Sequence, residues 1–136
     1  MSLQFKVIGV PAPQGSKRHL GHGVMVEMSQ KVKPWRQDVA AAALEARQGG
    51  EAFDGPLCVS IRFTLARPKS LPKSRRFPDR KPDLDKLVRS TLDALVTSGM
   101  IADDARVVNL FASKDYAMQG DALGASIIIR RVAGAA

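Results

Sequence analysis

The chain has 136 residues, with 21 Lys and Arg against 13 Asp and Glu, for a net charge of +8. That length fits one domain spanning residues 1–136, and a hydrophobic content of 45% excludes a disordered polar chain. The charge points to an anionic partner, nucleic acid above all, although a merely basic soluble protein has the same balance. A single cysteine, Cys58, excludes an internal disulfide and a cysteine-rich zinc site, and reads as a small buried side chain. No apolar run approaches the roughly 18 residues of a membrane span. MSLQFKVIGV lacks the charged start and long apolar centre of a signal peptide, so a reducing cytoplasm is the expected location.

Leu3, Phe5 and Val7 alternate with Gln4 and Lys6, which predicts a strand. Pro11 to Gly23 reads as a loop throughout, because Pro and Gly punctuate it, and His19 and His22 within it are ordinary loop residues. Val24–Met28 is a short strand. Pro34 opens a helix that Gly49 and Gly50 stop, with Trp35, Val39, Ala43 and Ala46 on one face. Trp35 is read as the packing anchor of that helix rather than a base-stacking platform. Leu57–Leu65 is the clearest strand. Arg67 to Pro82 is a basic loop broken by prolines. A second helix follows, with Leu84, Leu87, Val88, Leu92, Leu95 and Val96 on one stripe and Gly99 to end it. Strands are expected from about Arg106 to Ser113 and over ASIIIRRV, where three consecutive isoleucines suggest cover on both faces. Lys114 and Asp115 read as an exposed pair at a strand end, and residues 133–136 as a frayed tail. The fold class is α+β, two main helices on a mixed sheet of about five strands.

Between Arg67 and Arg89 there are nine Lys or Arg residues and three Asp, so this window alone carries +6 of the +8. It is either a solvated linker or an arm for phosphates, and the charge density favours the arm. Lys69, Lys73, Arg75, Arg76, Arg80, Lys81, Lys86 and Arg89 are its candidate DNA contacts. Asp83 and Asp85 lie where the arm enters the helix. In isolation they read as an N-cap and a dipole partner. Asp85, Arg89 and Asp93, however, repeat at four-residue spacing beside the apolar stripe, and Asp103 with Asp104 forms another pair. Arg89 and Asp93 suit an i,i+4 ion pair. Five of 13 acids thus fall within 22 residues. Crowded carboxylates resist ionising unless a cation joins them, and Mg²⁺ takes hard oxygen ligands. A helix from Asp85 to Ser98 rises about 20 Å, and six extended residues return about the same distance. Asp104 can therefore reach Asp85 within one chain only if the return runs extended and antiparallel to the helix; if it is helical, Asp104 falls short and the site fails or needs a second subunit.

KPDLDKLVRSTLDAL followed by GMIADDARVV resembles the RusA family of Holliday-junction resolvases, endonucleases of bacteria and their phages. The PAPQGSKR loop and the order of elements extend the likeness along most of the chain. The resemblance implies catalytic, metal-holding acids at Asp83, Asp85 and Asp104, Mg²⁺ or Mn²⁺ as cofactor, a homodimer, and paired cuts across a four-way junction. It also departs from the family. Lys86 stands where family members can carry Asn, and Arg89 stands in place of a functional lysine. Arginine keeps the charge and grips phosphate, but it does not donate a proton at ordinary pH. Lys17 and Arg18 either touch DNA or belong to a solvated loop. The rival readings are a non-catalytic basic nucleic-acid-binding module and a nuclease for another branched DNA.

Overall fold

Register builds the apolar layer of the sheet. Val59, Ile61 and Phe63 of β4 (Leu57–Leu65) lie opposite Ile129, Ile127 and Ala125 of β6 (Gly124–Arg131). Those residues lie in turn opposite Leu3, Phe5 and Val7 of β1 (Ser2–Ile8). Side chains on successive residues point to opposite faces, so all nine share one face. The computed structural model describes residues 2–15 and 30–132, together with the backbone course of 17–19 and 25–27. The main sheet has the order β1-β6-β4-β5, with β5 (Val107–Tyr116) parallel to β4 and the other pairs antiparallel. A parallel pair needs a crossover, which residues 66–106 supply through α2 (Leu84–Thr97).

Both helices cover the same face. From α1 (Val32–Arg47), Trp35, Val39 and Ala43 have no exposed surface, and neither do Leu87 and Leu95 of α2. The Trp35 indole N–H donates to Thr91 Oγ1 at 3.2 Å, and its ring lies 6.4 Å from that of Phe63. Trp35 is therefore the packing anchor. Helix α2 closes as the sequence predicts. Gly99, at φ +78°, follows the last turn, its N–H bonds to the Val96 carbonyl, and the Met100 N–H bonds to that of Leu95. This is a Schellman ending.

Three expectations change. The main sheet has four strands rather than about five, and two others form a separate ribbon, β2 (Lys17–His19) with β3 (Met25–Glu27). The stretch read as unbroken loop thus contains a strand, because strand pairing outweighs the local turn signal of Gly and Pro. Ile127 and Ile129 are fully buried but Ile128 only half so. The helices lie on one face, so the isoleucine run does not mark a doubly covered strand. Finally, β5 continues to Tyr116. The tail at 133–136 lies outside the described residues. No described helix is long and apolar enough to cross a membrane.

The indole bond gives a direct test. Thr91→Val leaves a buried N–H without its acceptor and should cost about 1–3 kcal/mol in urea unfolding. A change near zero would show that the bond is not what holds Trp35.

Candidate active site

Helix α2 carries the acids because its stripe is buried. With Leu87 and Leu95 inward, Asp85 and Arg89 are exposed and Asp93 is half-buried on the flank. Asp83 occupies the N-cap position with extended backbone, and its carbonyl accepts the Leu87 N–H at 3.1 Å. Its side chain makes no capping hydrogen bond. The carboxylate lies instead 3.6 Å from Lys86 Nζ, one turn on. Such a half-exposed pair contributes little stability, which leaves the carboxylate available for another cation. The expected Arg89–Asp93 ion pair does not form. Among the described residues Arg89 makes no salt bridge.

The second acidic pair sits after the turn. Asp103 Oδ1 accepts the Ala105 N–H at 3.0 Å, and Asp104 opens a short 3-10 turn, Asp104–Arg106. A hydrogen bond to the Asp103 carboxylate raises the Asp104 pKa, with partial desolvation and the charges of Asp103 and Asp93 adding to it. Asp103 moves the other way, lowered first by the Ala105 N–H and then by Asp104. Asp104 therefore holds its proton more tightly folded than unfolded, so it withdraws stability as pH rises through its raised midpoint. Asp103 adds stability above the unfolded carboxylate range and loses it as pH falls through its lowered one.

Asp83, Asp85 and Asp104 do not close into one cluster here. Among the described residues no three Asp, Glu, His or Cys side chains are grouped so as to hold a metal ion. The cause is the return path. Gly99, Met100 and Ile101 bond back to carbonyls of α2, Ala102 bonds to Phe53, and the chain then coils at 104–106. These bonds hold residues 99–102 against the end of α2 and Phe53, and only Asp103 is then extended before the turn. Asp104 feels Asp93, which lies about 12 Å along α2 from Asp85. The donor chemistry nevertheless suits Mg²⁺, which takes one or two carboxylates and completes its shell with water and substrate phosphates. Exposed Asp83 and Asp85 offer two such carboxylates at the start of α2, and Asp104 is a carboxyl whose ionisation a nearby cation would favour.

The basic loop is pinned rather than loose. Arg67 donates to the carbonyls of Arg75 and Pro72 at 2.8 and 2.7 Å, and its guanidinium lies 5.4 Å from the centre of the Tyr116 ring. At the other end, Lys114 Nζ donates to the carbonyls of Arg80 and Pro82, at 2.8 and 2.7 Å. Lys114 is therefore not one half of an exposed pair with Asp115. It shares a sheet face with Leu110 and Ala112, and a lysine in that register has to find acceptors. The period-two pattern of β5 was the signal for it. Lys69, Lys73, Arg76, Arg80 and Lys81 are exposed along the loop, whereas Arg75 is half-buried and paired with Asp79 at 3.4 Å. The side chains of Lys17, Arg18 and His19, and all of His22, lie outside the described residues. The backbone leading to Lys17 docks on α2, with Gln14 N–H on the Lys86 carbonyl at 2.9 Å and Ser90 Oγ on that of Ala12 at 2.7 Å.

A mixed sheet backed by two helices, one with an acidic flank rimmed by a pinned cationic loop, defines a small basic α+β protein organised around α2. The chain belongs to the RusA family: the family model described as Endodeoxyribonuclease RusA matches residues 9–128. It is also similar to YqaN of Bacillus subtilis (strain 168), 31% identical over 126 residues that cover 84% of this chain and 87% of that protein.

The Lys114 contacts make a prediction. Lys114→Met should speed amide exchange across residues 76–85 by about tenfold while leaving β4 protected, since two charge-assisted bonds are lost from an otherwise open segment. Unchanged exchange in the loop would show that other contacts hold it.

Proposed function

We propose that the protein is a metal-dependent endonuclease that resolves four-way DNA junctions by paired phosphodiester hydrolysis. The observation that carries this reading is the exposed acid pair, Asp83 and Asp85, set at the end of a pinned cationic loop in a chain of an endodeoxyribonuclease family. A protein that only bound DNA would gain nothing from exposed carboxylates there, because they repel phosphate. That favours the nuclease over the non-catalytic module.

Asp83 and Asp85 are the residues that would hold Mg²⁺, or Mn²⁺ in its place, and Asp104 would complete the set from the partner copy of a dimer, since within one chain it does not join them. The bound ion would supply polarisation of the phosphate and a water of lowered pKa. The chain's own residues do the rest. Exposed Lys69, Lys73, Arg76, Arg80 and Lys81 bind the backbone by releasing its counterions. Arg89, unpaired by any described carboxylate and permanently charged, clamps a phosphate oxygen and stabilises charge without moving a proton. Lys86 balances Asp83 until DNA arrives.

Two symmetric cuts call for two sites related by a twofold axis, so the active form is proposed to be a homodimer. The edge strand supports this. Val108, Leu110 and Phe111 of β5 are 60%, 45% and 64% exposed. An apolar edge of that kind is a template for another chain. Selection of a four-way junction over a fork or flap would follow from the spacing of two cationic loops in the dimer.

Asp83→Asn should bind a synthetic four-way junction as well as the native protein or better, and cut it about a hundredfold or more slowly in Mg²⁺, a loss of several kcal/mol of charge stabilisation. Normal nicking by this variant overturns the assignment of Asp83. Phe111→Asp should shift sedimentation from dimer toward monomer. A dimer that ignores the substitution places the interface elsewhere.

A further inference from the structure

The sheet face turned away from the helices has its own relief. Lys6, Ser126 and Arg62 are neighbours along one row across β1, β6 and β4. Ile8, Gly124, Thr64 and Asp115 form the next row. Ser126 is small and Gly124 has no side chain, so the two rows make a low floor. Glycine is required at 124, where φ is +149° and a Cβ would run into the Val7 carbonyl. The basic loop supplies Arg76 and Phe77 as one wall, and Met118 stands on another. Phe77 and Met118 are 67% and 78% exposed. Together these enclose a groove of about 630 Å³.

Its chemistry is specific. Three cations, Lys6, Arg62 and Arg76, meet an exposed aromatic ring and one acid, Asp115, that has no ion pair among the described residues. The other acid, Asp121, is engaged: its Oδ2 accepts the Met118 N–H at 2.9 Å and shapes the wall. We propose that this groove takes one unpaired nucleotide of the bound DNA, an inference that rests on the branched-DNA reading above. Lys6, Arg62 and Arg76 hold phosphate oxygens. Phe77 stacks on the base, as exposed rings do in single-strand binders. Asp115, which only accepts when ionised, takes a hydrogen bond from an exocyclic amine and so favours cytosine, adenine or guanine over thymine.

Position ties the groove to the acids. Lys114 and Asp115 are adjacent on β5 and point to opposite faces, Lys114 to the loop carbonyls and Asp115 to the groove. The loop thus passes round this end of the sheet, and six residues carry it from Phe77 to Asp83, at most about 20 Å. A branch point offers a base that costs little to unstack.

The test is fluorescence anisotropy with a labelled deoxycytidine hexamer, a thymidine hexamer and a linear duplex, without divalent metal, so that no cutting is read. The native protein should prefer the cytidine hexamer. Phe77→Ala should weaken both hexamers about tenfold and spare the duplex. Asp115→Ala should erase the preference. Arg62→Ala should lower the salt slope for the hexamers by about 0.7. All three side chains are exposed, and circular dichroism checks that each variant folds. Hexamer binding unmoved by Phe77→Ala and Arg62→Ala overturns the proposal. So does equal loss on duplex and single strand, or equal native affinity for the two hexamers. Junction cutting is scored separately. A protein that cuts junctions but shows none of these effects loses the groove and keeps the nuclease. One that shows them without cutting loses the nuclease and keeps the groove.

Discussion

Helix α2 can rotate no further than its apolar stripe allows, and the chemistry of the surface is indexed to that stripe. Leu87 and Leu95 are wholly buried, Ala94 nearly so, and Thr91 faces the indole of Trp35. At about 100° per residue, a helix locked at those positions must present Asp85, Arg89 and Asp93 in a row beside the core. A turn of one position would bury Arg89 without a partner, a penalty far larger than any gain at the surface. The anchor is supplied by α1, so the residue that fixes the acids lies some fifty positions before them.

The loop before α2 has no core of its own. Its order comes from backbone carbonyls gripped by two cations, Arg67 at one end and Lys114 at the other. Net charge therefore overstates what is offered to a polyanion, since these two serve the protein itself. It also understates the organisation of the rest. Exposed lysines and arginines on a pinned strap are pre-placed, and less entropy is lost when they meet phosphate.

The parts of the site that lie on one helix were legible. Asp83, Asp85, Arg89 and Asp93 are close in sequence, and helical periodicity alone sets their spacing. Asp104 was not, because its place depends on the path of residues 99–103, and that path follows the carbonyls of α2 rather than an extended line. Lys114 was misplaced as a surface residue even though the alternation of β5 put it on the inner face. Ile128 was misjudged because a run of isoleucines looks the same whether one or both faces are covered, and only the placement of the helices decides. The strand at 17–19 was masked by the turn signals around it. Where a local pattern agrees with its tertiary setting, as in β4 and the glycine end of α2, sequence and structure coincide.

The order of strands sets the order of events during synthesis. β6 lies between β1 and β4, with Ser2 paired to Arg130 and Ile8 to Gly124. Such distant pairings form late and slowly. A ribosome that has finished α2 has made Asp83, Asp85 and the cations of the loop but neither β5 nor β6, and β1 waits longest of the sheet strands for its neighbour. The surface is thus assembled only after β6 has left the ribosome, which keeps a half-made copy of the sheet from presenting it.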